Sequence, residues 1–240
     1  MDAWEAAGRW RAMSPEEREE AYSPSSCIGG DYTPFVTAYR DRSAAVRSST
    51  SGWREFSYGP TASQCLDLFM PVDADAPVPL LVFIHGGYWQ ELSKDDSSFA
   101  ALAWVDRGVA FAALDYTLAP EASLAEIVAE CRRAVGWLYE NAGDLGVDKR
   151  RIVVAGSSAG AHLAAMVAAP GWQRNAGRPG DLVAGAVLIS GIFDLEPLLG
   201  TSIAEPLCLT GSDVTALSPA RLSLEGFPPS VICWGEVETD

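Results

Sequence analysis

The chain has 240 residues, 48% hydrophobic and 20% charged, a composition that excludes disordered and fibrous classes and is enough for one domain with a substantial core. Thirty-two acidic residues against 17 basic ones give a formal net charge of −15. That field repels phosphate backbones and anionic membrane faces and excludes nucleic acid as a partner.

The N-terminal segment mixes Asp, Glu and Arg with Ala and Trp through residue 22, unlike a secretory signal, and no window reaches the run of about 18 apolar residues that a membrane span needs. Ser14-Pro15-Glu16-Glu17 combines an N-cap, a first-turn proline and a glutamate three residues after the cap, so a helix is predicted through Tyr22. A second helix is predicted near residues 34–48 and a break over Ser48 to Gly52, which makes residues 1–50 a helical lead-in to a domain over 51–240. Trp53 to Tyr58 and Cys65 to Met70 alternate with the two-residue period of half-buried strands, separated by Gly59-Pro60. After a proline-rich stretch, Leu80-Leu81-Val82-Phe83-Ile84 is a continuous apolar run, as in a strand buried on both faces.

Four further strands are predicted at Val109 to Leu114, Arg151 to Ala155, Ala184 to Ile189 and Ser230 to Trp234, with helical stretches between most of them. Leu124, Ile127, Val128, Cys131, Val135 and Leu138 share one helical face, as a helix packed on a sheet requires. The expected fold class is α/β: a mostly parallel central sheet with antiparallel N-terminal strands and helices on both faces. Residues 191–229, rich in Leu and Pro, are expected to form a lid within that single domain.

The chemistry concentrates at Gly156-Ser157-Ser158-Ala159-Gly160, set between the strand at Arg151 to Ala155 and an alanine-rich helix. A strand, a tight turn with small residues flanking a serine, and a helix whose N-terminus faces the reacting carbonyl are the parts of a nucleophile turn, and Ser158 sits at its centre. A phosphate loop is excluded because no Gly-Lys-Ser/Thr ending follows. His85-Gly86-Gly87-Tyr88-Trp89 directly follows the buried strand, where backbone N–H groups of Gly86 or Gly87, with that of Ala159, would hold an oxyanion; losing one such donor costs about 3 kcal/mol of barrier. The triad acid is expected in Gly235-Glu236-Val237-Glu238-Thr239-Asp240 after the last strand, with Asp240 preferred and Glu236 and Glu238 as alternatives.

A general base is missing from this order. The two histidines are His85, in the glycine loop, and His162, one helical turn past Ser158, and neither follows the acid as the serine-acid-histidine order demands. Two explanations compete, a C-terminally incomplete chain or a variant that has lost hydrolysis, and the first is preferred because the sequence stops inside the acid loop. An uncovered edge strand at 230–234 would then favour a homodimer. The five cysteines, Cys27, Cys65, Cys131, Cys208 and Cys233, include no CxxC pair, so reduced thiols and a cytoplasmic protein without metal or cofactor are expected.

These motifs, with Leu66-Asp67-Leu68, Ser190-Gly191-Ile192-Phe193-Asp194-Leu195 and the Gly235 to Asp240 segment, resemble the kynurenine formamidase (arylformamidase) group of α/β-hydrolases within the esterase/lipase superfamily. The resemblance spans residues 53–240, and the Tyr88-Trp89 ending of the glycine loop is its most discriminating piece. It implies a small-molecule substrate, an aryl formamide such as N-formylkynurenine, cleaved to formate and an arylamine. It supports Asp240 as acid, suggests that Tyr88 and Trp89 line an aryl pocket, and places a histidine some 30 residues beyond Asp240, by the same serine-acid-histidine order. A carboxylesterase and a catalytically silent binding module remain the alternatives.

Overall fold

A computed structural model of the chain describes residues 8–23, 28–72, 74, 76–236 and 238. Seven strands form one sheet in the order β1-β2-β4-β3-β5-β6-β7, comprising β1 (Trp53–Ser57), β2 (Cys65–Phe69), β3 (Val78–Ile84), β4 (Ala110–Leu114), β5 (Val147–Ser157), β6 (Gly185–Ile189) and β7 (Ser230–Cys233). β2 pairs antiparallel with β1 and β4, and every other neighbour is parallel. The expected α/β architecture is therefore the observed one.

The main helices are α1 (Pro15–Ala21), α2 (Thr33–Ser49), α3 (Ala101–Val105), α4 (Leu124–Glu140), α5 (Ala159–Ala168) and α6 (Gly211–Leu217). Ser14 caps α1 and Ser123 caps α4, each in a reciprocal box with the glutamate three residues on, Glu17 and Glu126. The predicted stripe of α4 is buried against the sheet together with Leu163 and Val167 of α5. α2 and α3 cover the opposite face, where Val46 and Ala101 pack with Phe69, Leu81, Phe111 and Ala155. Each large aliphatic side chain removed from water in these layers contributes about 1.5–3 kcal/mol.

The structure corrects one expectation about the strands. Alternation in Cys65-Leu66-Asp67-Leu68-Phe69 predicted a half-buried β2, yet all five residues are buried. The reason is a buried ion cluster under α2. Lys94 Nζ stands 3.1 Å from Asp67 Oδ1 and 2.9 Å from Glu55 Oε2, and Arg47 Nη1 stands 3.5 Å from Asp67 Oδ2. A carboxylate so paired can occupy a face that an unpaired one could not.

The lead-in is fastened to the domain. Arg18 of α1 donates to the Leu199 carbonyl at 3.0 Å, and Glu19 accepts from the Ser202 amide at 2.9 Å and from its hydroxyl. Leu195, Leu198, Leu207, Val214 and Leu217 of the 191–229 stretch are buried in the larger core. β7, by contrast, is exposed along its length. Among the described residues no helix is long and apolar enough to cross a membrane.

Candidate active site

β5 runs straight into the turn. Ser158 has φ 57° and ψ −124°, a region costly for any residue with a Cβ and held only where the surroundings over-determine it. Its N–H donates to the Ile189 carbonyl at 2.8 Å, which ties the turn to the end of β6. A Cβ on Gly160 would overlap the Ile84 carbonyl and stand 2.6 Å from that of His85; one on Gly156 would overlap the Gly160 carbonyl. Strand, loop and helix thus meet backbone against backbone. α5 begins at Ala159, so its first N–H groups, which have no partner within a helix, open beside Ser158.

The glycine loop lies directly on Ser158. A Cβ on Gly86 would be 3.3 Å from Ser158 Cβ and 2.8 Å from the Ser157 carbonyl. Gly87 has φ +93°, and the loop turns back on itself as Gln90 and Glu91 both donate to the Gly87 carbonyl at 2.9 Å. Ser158, Ala159, Gly86 and Gly87 are therefore brought together. Ser158, Gly86 and Gly87 are half-buried, which leaves the turn open to a small molecule.

The two aromatic residues of the loop part ways. Trp89 is fully buried, its ring set edge-on to His162 with centroids 5.1 Å apart and its carbonyl accepting from Ala119 N–H at 2.9 Å. Tyr88 is half-buried and donates its hydroxyl to the Tyr22 carbonyl at 2.5 Å, joining the end of α1 to the loop. Nothing in the sequence linked the lead-in to this site.

Both histidines are engaged elsewhere. His162 Nε2–H donates to the Leu217 carbonyl at 2.7 Å, and complete burial pushes its pKa down to about 4, so the ring is neutral. His85 Nδ1–H donates to the Gly86 carbonyl at 2.9 Å, and its Nε2 lies 3.4 Å from Asp115 Oδ1.

On the acid side, Glu238 Oε1 accepts from Ser190 Oγ at 2.6 Å and from Gly235 N–H at 2.7 Å. Ser190 follows Ile189, the residue that anchors Ser158, and its own N–H donates to the Cys233 carbonyl at 2.8 Å. Glu238 is thereby tied one residue away from Ile189, the anchor of Ser158. Glu236 is exposed, and Asp240 lies outside the described residues. Sequence reasoning did not single out Ser190 as the hydroxyl that donates to Glu238. Among the described residues no cluster of His, Cys, Asp and Glu could hold a metal ion.

A mixed sheet in this strand order, with the strand-turn-helix at Ser158 and the glycine loop upon it, defines an α/β-hydrolase. The comparisons narrow the class. The family profile BD-FAE matches residues 66–181. The chain is 36% identical to the kynurenine formamidase of Danio rerio over 217 residues, 88% of this chain and 72% of that one. It is 34% identical to that of Salmo salar over 219 residues, covering 89% and 72%. A solved structure from a Silicibacter species, described provisionally as a thioesterase, superposes with a TM-score of 0.77 at 27% identity over 93% of this chain and 92% of that one. The chain belongs to the kynurenine formamidase family of α/β-hydrolases.

Proposed function

We propose that the site cleaves an aryl formamide such as N-formylkynurenine, releasing an arylamine and then formate. Ser158 attacks the formyl carbon, and the N–H groups of Ala159, Gly86 and Gly87 receive the oxyanion. Collapse of the tetrahedral intermediate expels the arylamine and leaves a formyl-serine, which water hydrolyses. The observation that carries this reading is the contact of Gly86 with Ser158, which lays a glycine backbone over a strained nucleophile. Tyr88 lines the aryl side, with Trp89 packed behind it.

Glu238, held by Ser190 and Gly235, is the acid that orients the base. His85 and His162 each use one ring nitrogen on a backbone carbonyl, and among the described residues neither ring hydrogen-bonds the Ser158 hydroxyl, so the base is assigned to neither. The proton of Ser158 is therefore assigned to neither of these rings. Added imidazole should therefore accelerate hydrolysis in a manner that Ser158→Ala abolishes. With the triad complete, Glu238→Gln should lower kcat by up to about 10⁴, as misorienting the base does, and Asp240→Asn should leave it unchanged.

The engagement of both histidines also favours a second reading, a binding module on a hydrolase scaffold. The deciding measurement is kcat/KM for N-formylkynurenine and for p-nitrophenyl acetate with imidazole present. Preference for the formamide supports the first reading, and turnover of the ester alone points to a carboxylesterase. No Ser158-dependent turnover and no labelling of Ser158 by an organophosphonate would leave only the binding module.

A further inference from the structure

We infer that Tyr116 is a positioning residue for the oxyanion hole, acting on the carbonyl side of the peptides whose N–H groups form it. The inference rests on the reading of Gly86 and Gly87 as the donors. β3 and β4 are parallel neighbours with Ile84 beside Leu114, so residues 85–86 and 115–116 leave the sheet side by side. The Tyr116 ring is buried and stacked on the His85 imidazole, centroids 4.2 Å apart and planes within 7°. Its hydroxyl donates to the His85 carbonyl at 3.1 Å and reaches that of Gly86 at 3.4 Å, while His85 Nδ1–H donates to the Gly86 carbonyl at 2.9 Å.

A trans peptide is planar, with its C=O and N–H pointing in opposite directions. Fixing the His85 carbonyl therefore fixes the Gly86 N–H, and fixing the Gly86 carbonyl fixes the Gly87 N–H. Two successive glycines have no side chain to limit their backbone, so their orientation must be imposed from outside. Tyr116 and His85 impose it through the two carbonyls.

The brace is itself anchored. The Asp115 carbonyl accepts from Tyr58 Oη at 2.7 Å, the Thr117 N–H donates to Glu130 at 2.8 Å, and Glu130 is held in turn by Gln64 at 2.7 Å. A rigid support is what preorganised donors need, since a donor that must reorient during reaction loses much of its effect.

The test compares Tyr116→Phe, which keeps the stacked ring and removes only the hydroxyl, with the unaltered 240-residue chain in imidazole-supported hydrolysis of p-nitrophenyl acetate. Losing a whole donor costs 10²–10³-fold, so loosening two of them should lower kcat by about tenfold at unchanged KM. Affinity for phenylboronic acid, whose tetrahedral adduct on Ser158 places an oxygen in the hole, should fall by the same factor, and affinity for aniline should not change. His85→Ala should act in the same direction. His85→Asn, whose amide nitrogen takes the place of Nδ1, should recover most of the loss, and this pair stands as the test if Tyr116→Phe does not fold. Variants that lower only the melting temperature, with kcat and boronate affinity intact, would overturn the inference and leave the oxyanion reading standing. An unaltered chain indistinguishable from Ser158→Ala in both assays would overturn the reading and the inference together.

Discussion

At the ends of β3 and β5, Gly86, Gly156, Gly160 and Ser158 pack backbone against backbone with no room for a methyl group. On the next two strands of the sheet, β6 and β7, Glu238 rests on an exposed turn through two hydrogen bonds, and Val231, Ile232 and Trp234 are 60%, 55% and 73% exposed. The turn at Ser158 is fixed by steric exclusion inside a closed core. The Glu238 turn is held by hydrogen bonds to a carboxylate near water, individually worth at most about 1.5–3 kcal/mol. Substitutions should therefore be far more damaging on the first side than on the second.

The largest effect is expected at Gly160. Valine there would drive its side chain into the carbonyls of Ile84 and His85, which belong to the strand end and cannot yield like a flexible side chain. Gly160→Val should cost more than about 4 kcal/mol, in the range of severe overpacking and backbone displacement, and should be read as loss of a cooperative thermal transition. A Gly160→Val protein with a normal melting temperature would show that the close packing at the nucleophile turn is not what holds it.

A smaller but still large effect is expected at the buried ion cluster under α2. Lys94→Ala leaves the fully buried Asp67 with Arg47 at 3.5 Å, Ser98 at 3.5 Å and a hydrogen bond from Trp53, without its close ammonium partner. Breaking one partner out of a buried pair typically costs about 3–5 kcal/mol, whereas replacing both by apolar residues is often neutral. Urea denaturation of Lys94→Ala and of Asp67→Leu with Lys94→Leu should separate the two outcomes. Equal losses in both variants would mean that the shape of the site matters more than its charge.

His162 sharpens the same comparison through pH. Its folded pKa of about 4 lies below the unfolded value of 6.5, so between these limits the unfolded chain binds a proton that the native chain refuses. Stability contributed by the neutral ring is fully present above pH 6.5 and is lost as pH falls towards 4, with a slope of up to about 1.4 kcal/mol per pH unit. Melting temperatures measured across that window should fall more steeply for the natural chain than for His162→Gln. Parallel curves would exclude His162 as the origin of the acid sensitivity.

The same contrast governs how much of the site could be read from the sequence. Glycines at 86, 156 and 160 and the unbroken apolar run of β3 announce the close-packed turn at Ser158, because steric exclusion leaves a residue-type signature at fixed spacing. Glu238 carries no such mark. Among the described residues it differs from Glu236 by its hydrogen bond to Ser190, 48 residues earlier, a partner that only the fold reveals. Asp67 misled for the same reason: an acidic residue in an alternating strand suggests solvent until Lys94 is placed beside it. Trp89, adjacent to the loop, suggested a pocket wall but packs on His162 in the core, and adjacency in sequence could not tell loop lining from loop backing.

The smallest effect is expected at the open edge, and it is the most direct check on the contrast. Ile152 of β5 and Ile232 of β7 are both isoleucines in parallel strands of the same sheet, yet the first is fully buried and the second is 55% exposed. Truncating a buried isoleucine removes transfer free energy and leaves a cavity, at about 2–5 kcal/mol. Truncating an exposed one leaves no cavity, and little apolar surface returns to water, so Ile232→Ala should stay within about 0.5 kcal/mol of the unaltered chain. Chemical denaturation of both single variants, at one protein concentration to keep association constant, gives the ratio directly. If Ile232→Ala costs as much as Ile152→Ala, β7 is covered in solution, and the exposed half of the site is as firmly built as the half around Ser158.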